Sequence, residues 1–122
     1  MSSTNVGTIA RQYDVVLVPY HYSDLSGFKR RPALILSNYE HNNTHEDLIC
    51  CPLTSQPQKQ EGRILRDSHL TDGTLKYTSW VKPTALFSAC KQIIVRRLGR
   101  ISLNKAEEVR DVVDRALKSD EV

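Results

Sequence analysis

Apolar residues along this chain fall into short runs separated by polar, turn-forming stretches, a pattern that predicts strands for most of its length and one helix at the end. Tyr13 to Tyr20, YDVVLVPY, is rich in β-branched residues, too short for a typical helix and closed by Pro19, so it reads as a buried strand. His21 to Gly27 carries Ser, Asp and Gly and reads as a loop. Arg31 to Ser37, RPALILS, gives a second strand with Pro32 at its start, where a missing N–H does least harm. The polar tract NYEHNNTHED at 38–47 is expected to be an exposed connection, followed by a third strand over Leu48 to Leu53 that ends in Pro52-Leu53-Thr54-Ser55. Gln56 to Glu61 lacks large apolar residues and reads as a mobile loop bordering a binding surface. Shorter strand signals follow at Arg63 to Arg66, Tyr77 to Val81 and Gln92 to Leu98, with Pro83 and Gly99 as punctuation.

The period changes near the C-terminus. Val109, Val112, Val113, Ala116 and Leu117 make one apolar stripe at helical spacing, with Asn104 as the expected N-cap, Glu107 as its capping-box partner and Lys118 in the last turn. Several short strands followed by one docking helix predict a mainly β protein, a small curled antiparallel sheet of SH3-like barrel character.

Length and composition bound this picture. With 122 residues, 39% hydrophobic and 25% charged, the chain suits one domain over 1–122, its ordered core expected across residues 11–118. No apolar run reaches the roughly 18 residues a membrane span needs, and Met1-Ser2-Ser3-Thr4-Asn5 lacks the basic start and apolar core of a signal peptide. The expectation is therefore a cytoplasmic protein with no membrane partner. Cys50, Cys51 and Cys90 are odd in number and make a poor disulfide framework, which suits a reducing compartment. Adjacent strand residues face opposite sides, so Cys50 and Cys51 cannot both aim at one metal; buried thiols are expected. A net charge of +3 is too small to imply a nucleic-acid partner by itself, but basic residues gather at Lys29-Arg30-Arg31 and at Arg96, Arg97 and Arg100.

Candidate chemistry is sparse. His41 and His45 have the spacing of a zinc-binding pair without a Glu between them and read as exposed loop residues, while His21 and His69 lie in loops near strand ends. No phosphate-binding loop, dinucleotide fingerprint or serine-hydrolase elbow occurs. What remains is a guanidinium and two hydroxyls at strand ends: Arg31 opening the second strand, and Thr54 with Ser55 closing the third. Arginine offers a planar fork matched to phosphate and a threonine hydroxyl adds a donor to the same anion. Taken alone, such dipeptides equally mean surface charge and strand capping.

Their order and surroundings carry more. YDVVLVPY at Tyr13 to Tyr20, KRRPALILSN at Lys29 to Asn38, LICCPLTSQ at Leu48 to Gln56, SWVKPTALFS at Ser79 to Ser88 and IIVRRLGRIS at Ile94 to Ser102 resemble, in order, the strands of the MazF/PemK family of toxin endoribonucleases. The resemblance implies the family's SH3-like barrel, a homodimer, a cognate antitoxin that occupies the RNA groove, and cleavage of single-stranded RNA with no metal or other cofactor. It places the chemistry on Arg31 and Thr54, with Lys29, Arg30, Ser55, Gln56 and Lys82 as substrate-binding residues. Two departures stand out. The family's first strand commonly begins Gly-Asp, and here Tyr13 stands in the glycine's place; Lys82 replaces an arginine found in some relatives, keeping the charge and losing the bidentate fork.

In the implied reaction the ribose 2′-hydroxyl attacks the adjacent phosphorus, leaving a 2′,3′-cyclic phosphate and a 5′-hydroxyl. Because a guanidinium normally holds its proton at neutral pH, Arg31 is expected to stabilise charge rather than donate a proton. Tyr20, Tyr22, Phe28 and Trp80 are candidates for stacking on splayed bases, although Trp80, between Ser79 and Val81, reads first as core. The rival reading is a non-catalytic binding module of the related CcdB shape, against which Arg31 and Thr54 argue.

Overall fold

A computed structural model of the chain describes residues 10–21, 28–60 and 62–121. The strands are β1 Asp14–His21, β2 Phe28–Ile35, β3 Asp47–Thr54, β4 Ile64–Leu65, β5 Leu70–Gly73, β6 Ser79–Val81, β7 Phe87–Cys90 and β8 Arg96–Ile101; the helices are α1 Tyr39–Thr44 and α2 Leu103–Leu117. Hydrogen-bonded neighbours run β4-β6-β3-β2-β1-β8-β5, and β7 pairs with β3. All the pairings are antiparallel. The result is a mainly β, curled half-barrel with a C-terminal helix, as the pattern predicts.

Alternation along the central strands explains why they sit where they do. Val15, Leu34, Leu36, Cys51 and Leu53 enter one core with Val81, Ile101 and the α2 residues Ala106, Val109 and Val113. Val16, Val18, Ala33, Ile35, Leu48 and Cys50 enter a second core with Ala89 and Ile94. Strands buried on both faces read as continuous apolar runs rather than as alternation, which is why these three were legible as runs.

Several boundaries differ from the sequence reading. β2 begins at Phe28 rather than at Arg31, so Arg31 and Pro32 lie inside the strand. Proline lacks the N–H a ladder needs, and the β2–β3 pairing runs only from Ala33, the residue after it. The expected loop at 38–47 contains α1: Asn38 caps it by accepting from His41 N at 2.9 Å, and the helical spacing stacks the His41 and His45 rings 4.0 Å apart. Strands β5 and β7 were not expected, and the Gln92 to Leu98 signal divides into a 3₁₀ turn at Lys91–Ile93 and the start of β8. The α2 N-cap is Ser102 rather than Asn104, accepting from Lys105 N at 3.2 Å. Burial on α2 ends at Val113, leaving Ala116 and Leu117 exposed, so the expected stripe docks only over its first half. Most of the His21–Gly27 loop, and Glu61, lie outside the described residues.

Tyr13 has φ +72°. That is the left-handed region, which disfavours side chains by roughly 1–2 kcal/mol and which glycine adopts freely. Tyr13 packs against the first core, which also holds Ala106, Val109 and Val113 of α2, so the strained residue sits where the start of β1 meets the helix.

Candidate functional site

A groove of about 650 Å³ runs across the ends of β2 and β3. Lys29, Arg30, Arg31 and Pro32 line it from β2, and Leu53, Thr54 and Ser55 from the end of β3. The facing wall is the segment after β5, Thr74 to Tyr77, and β8 adds Arg96 and Leu98. Curling of the sheet accounts for this. β5 ends the sheet on one side, β6 lies beyond β3 on the other, and the connection between them brings Thr74 to Tyr77 to the lining.

Arg31 and Thr54 lie two residues beyond the last β2–β3 pair, Ala33 with Pro52, and both line the groove. Both are half-buried, whereas Lys29, Arg30 and Ser55 are exposed. Thr54 Oγ1 accepts from Gln56 N at 3.1 Å, a bond that occupies one lone pair and does not use the hydroxyl proton. Among the described residues the lining contains five cationic side chains, Lys29, Arg30, Arg31, Lys76 and Arg96, and no carboxylate. Since the whole chain carries only +3, positive charge is concentrated here far above its average. Leu17, Pro32, Leu53, Leu75 and Leu98 supply an apolar floor, which keeps water from screening those charges as fully as it would on a flat surface.

The predicted site residues thus divide. Arg31, Thr54, Lys29, Arg30 and Ser55 come together in one groove. Gln56 and Lys82 are not part of its lining: Gln56 serves through its backbone N–H, and Lys82 N donates to Pro52 O at 3.0 Å just past the end of β6. Trp80 is half-buried, pairs with Thr54 and Ile64, and is not itself part of the lining. Tyr22 and the side chains of Tyr20 and Phe28 lie outside the described residues. Sequence reasoning missed Lys76 and Tyr77, which have no local motif, and did not separate Arg96 from its basic neighbours.

That separation is electrostatic. Asp14 is fully buried, and its Oδ1 lies 3.2 Å from Arg97 Nε and 3.0 Å from Arg100 Nε, while its Oδ2 accepts from Arg11 N at 2.9 Å. Arg97 also meets Asp72 at 2.8 Å, and the two carboxylates raise its pKa against the opposing pull of burial. Residues three apart on a strand should face opposite sides. A register shift between Val15 and Val16, against Gly99 and Arg97, inserts one extra residue in β8 and lets both arginines reach Asp14. They are structural, and Arg96 alone of the three joins the groove.

Other reactive groups lie elsewhere. Burial raises the Cys50 and Cys51 thiols to about 12, as expected of core cysteines. His69 Nδ1 accepts from Arg66 N at 3.0 Å, and burial together with Lys105 lowers its pKa. Among the described residues, no three His, Cys, Asp or Glu side chains are grouped to hold a metal, and no helix is long and apolar enough to cross a membrane.

Comparison with solved structures finds the same fold in several proteins. MazE-MazF (Form-III) from Deinococcus radiodurans superposes with a TM-score of 0.71 at 21% identity, covering 89% of this chain and 96% of that one. An endoribonuclease from a Mycobacterial species gives 0.68 at 18%, covering 89% and 91%. An endoribonuclease in complex with its cognate antitoxin, also Mycobacterial, gives 0.68 at 17%, covering 93% and 99%. At such identities the likeness establishes the fold. No curated protein matches the chain. The family described as PemK-like, MazF-like toxin of type II toxin-antitoxin system matches residues 11–117, nearly the whole chain and both walls of the groove, and the chain belongs to that family.

Proposed function

We propose that this toxin is an endoribonuclease that cuts single-stranded RNA in the Arg31–Thr54 groove. The observation that carries the reading is the lining itself: among the described residues, five cations, no carboxylate, and a half-buried guanidinium on the same groove as a half-buried hydroxyl. Transesterification at phosphorus accumulates negative charge on the non-bridging oxygens, and preorganised donors in a partly dry cleft stabilise that charge more than they stabilise the ground state. Arg31 meets the developing dianion and Thr54 donates to one of its oxygens. The 2′-hydroxyl is the nucleophile; its proton leaves as the new P–O bond forms, the P–O5′ bond breaks, and the departing oxygen is protonated to a 5′-hydroxyl. Among the described residues the groove holds no imidazole or carboxylate, so its side chains supply charge and hydroxyl donors rather than a conventional base.

The same groove suits a cognate antitoxin whose acidic, apolar-dotted tail would cover the cations and exclude RNA. A homodimer of about 28 kDa and a cytoplasmic location complete the reading. The test is incubation of purified protein with a long unstructured RNA in EDTA, with the 3′ ends assayed for cyclic phosphate. Cleavage with such ends supports the proposal. A folded protein that binds RNA without cutting it points to the CcdB-like binding module instead, and absolute dependence on magnesium overturns the mechanism.

A further inference from the structure

The wall facing Arg31 is firmly built. Thr74 N donates to Leu98 O at 3.2 Å, and Leu75 N donates to Asp67 Oδ1 at 2.7 Å. The Leu75 side chain is sunk in the first core, and Ser79 Oγ donates to Tyr77 O at 3.2 Å. Between these anchors Lys76 and Tyr77 are both exposed, and Tyr77 keeps 67% of its surface open. An aromatic ring on an anchored segment usually finds a place to bury its area. Here the ring instead lines a groove, with the Lys76 ammonium 5.6 Å from its centroid and Arg96 on the same lining. A flat π face beside the Lys76 ammonium, in a groove whose described lining holds no carboxylate, matches a ligand of planar rings joined by anions.

We infer that Tyr77 is a stacking platform for one base adjoining the cleaved phosphate, with Lys76 and Arg96 holding the phosphates on either side of that nucleotide. The inference rests on the RNA-cleaving reading and adds to it a subsite across the groove from Arg31 and Thr54. Single-stranded RNA offers unstacked bases to such a ring, whereas duplex RNA keeps its bases paired and stacked, so the platform selects single strands. Because every base has a π face, it positions the strand more than it reads it.

The test is binding of fluorescein-labelled, fully 2′-O-methylated oligoribonucleotides in EDTA, with one abasic position walked along the strand. With the wild-type protein, one abasic position should weaken binding by about ten- to a hundredfold. Tyr77→Ala should weaken binding of the intact strand by the same factor and show no additional loss at that position, while Tyr77→Phe should bind as wild type does. Equal affinity of Tyr77→Ala and wild type for the intact strand overturns the platform. So do losses that multiply when the protein change and the abasic position are combined, because the tyrosine then touches something other than that base, such as sites an acidic peptide would use. Melting curves of each variant establish folding, which an exposed side chain should leave unchanged. Cleavage of unmodified RNA is measured alongside. Cleavage with an unaffected Tyr77→Ala variant removes the platform and keeps the nuclease; coupling without cleavage keeps the platform and removes the nuclease; a folded wild-type protein that binds no RNA removes both.

Discussion

Replacing Asp14 with Asn deletes one negative charge at a fully buried position and leaves the side chain's size unchanged. The carboxylate stands 3.2 and 3.0 Å from the guanidinium nitrogens of Arg97 and Arg100, and accepts from Arg11 N at 2.9 Å. Breaking a buried ion pair by removing one partner costs roughly 3–5 kcal/mol when the survivor stays buried and unpaired. The two arginine side chains are 29% and 26% exposed, so water recovers part of that loss and Arg97 retains Asp72. Asparagine also keeps an acceptor oxygen, and the expected cost becomes about 2–3 kcal/mol. For a chain of this length each kcal/mol moves the melting temperature by roughly 3–4 °C, so Asp14→Asn should melt about 10 °C lower. Asp72→Asn is the control: its carboxylate is 53% exposed, and its loss should cost under about 1 kcal/mol. Thermal and urea unfolding followed by circular dichroism, at low and high salt, measure both. Salt should shrink the Asp72 effect and leave most of the Asp14 effect in place. An Asp14→Asn protein melting within about 2 °C of wild type would refute the claim that this carboxylate organises the β1–β8 seam.

Arg31→Ala should lower single-turnover cleavage by about two to three orders of magnitude and Thr54→Val by somewhat less, while Lys82→Ala, outside the groove, leaves the chemical step nearly unchanged; a fully active, folded Arg31→Ala protein would remove the assigned site. Gly73→Ala should cost several kcal/mol in urea unfolding, because φ is +84° and an added Cβ would lie 2.1 Å from Leu98 O, a backbone atom that cannot swing aside. Native protein treated with a thiol reagent at pH 8 should modify the half-buried Cys90 first, with Cys50 and Cys51 reacting only on unfolding, since burial holds both near 12; rapid reaction of all three would contradict that burial.

Where local pattern and tertiary packing agree, the elements were legible in the sequence. β1, β2, β3 and α2 carry long apolar runs or a helical stripe whose only good solution is burial. α1 is six residues of indifferent propensity that depend on the Asn38 cap and on a Ser37–Asn42 bond of 2.5 Å. β7 is a strand because β3 offers it an edge from Asp47 to Cys50, something no window around Phe87 to Cys90 contains. Ser102 rather than Asn104 caps α2 because the helix is placed by its neighbours. Lys105, 4% exposed, has to reach Gly62 O at 2.9 Å and Glu108 at 3.0 Å from the first turn.

The candidate site divides along the same line. Arg31 and Thr54 could be proposed from sequence because each sits in a recognisable strand segment, and those two neighbouring strands carry both to one groove. Lys76, Tyr77 and Arg96 belong to the same groove only because the sheet curls, and curvature is a sum of small twists over strands far apart in the chain. The basic stretch Arg96, Arg97, Arg100 looks uniform as a string of letters. One extra residue at a bulge and one buried aspartate, more than eighty positions upstream, turn two of those arginines into structural ties and leave the third facing the groove. Sequence by itself determined which residues had to be buried and which could carry phosphate chemistry, because hydrophobicity and charge are properties of the residue. Which charges remain available to a substrate was decided by tertiary structure, because neutralisation depends on what lies within about 4 Å across chain-distant contacts.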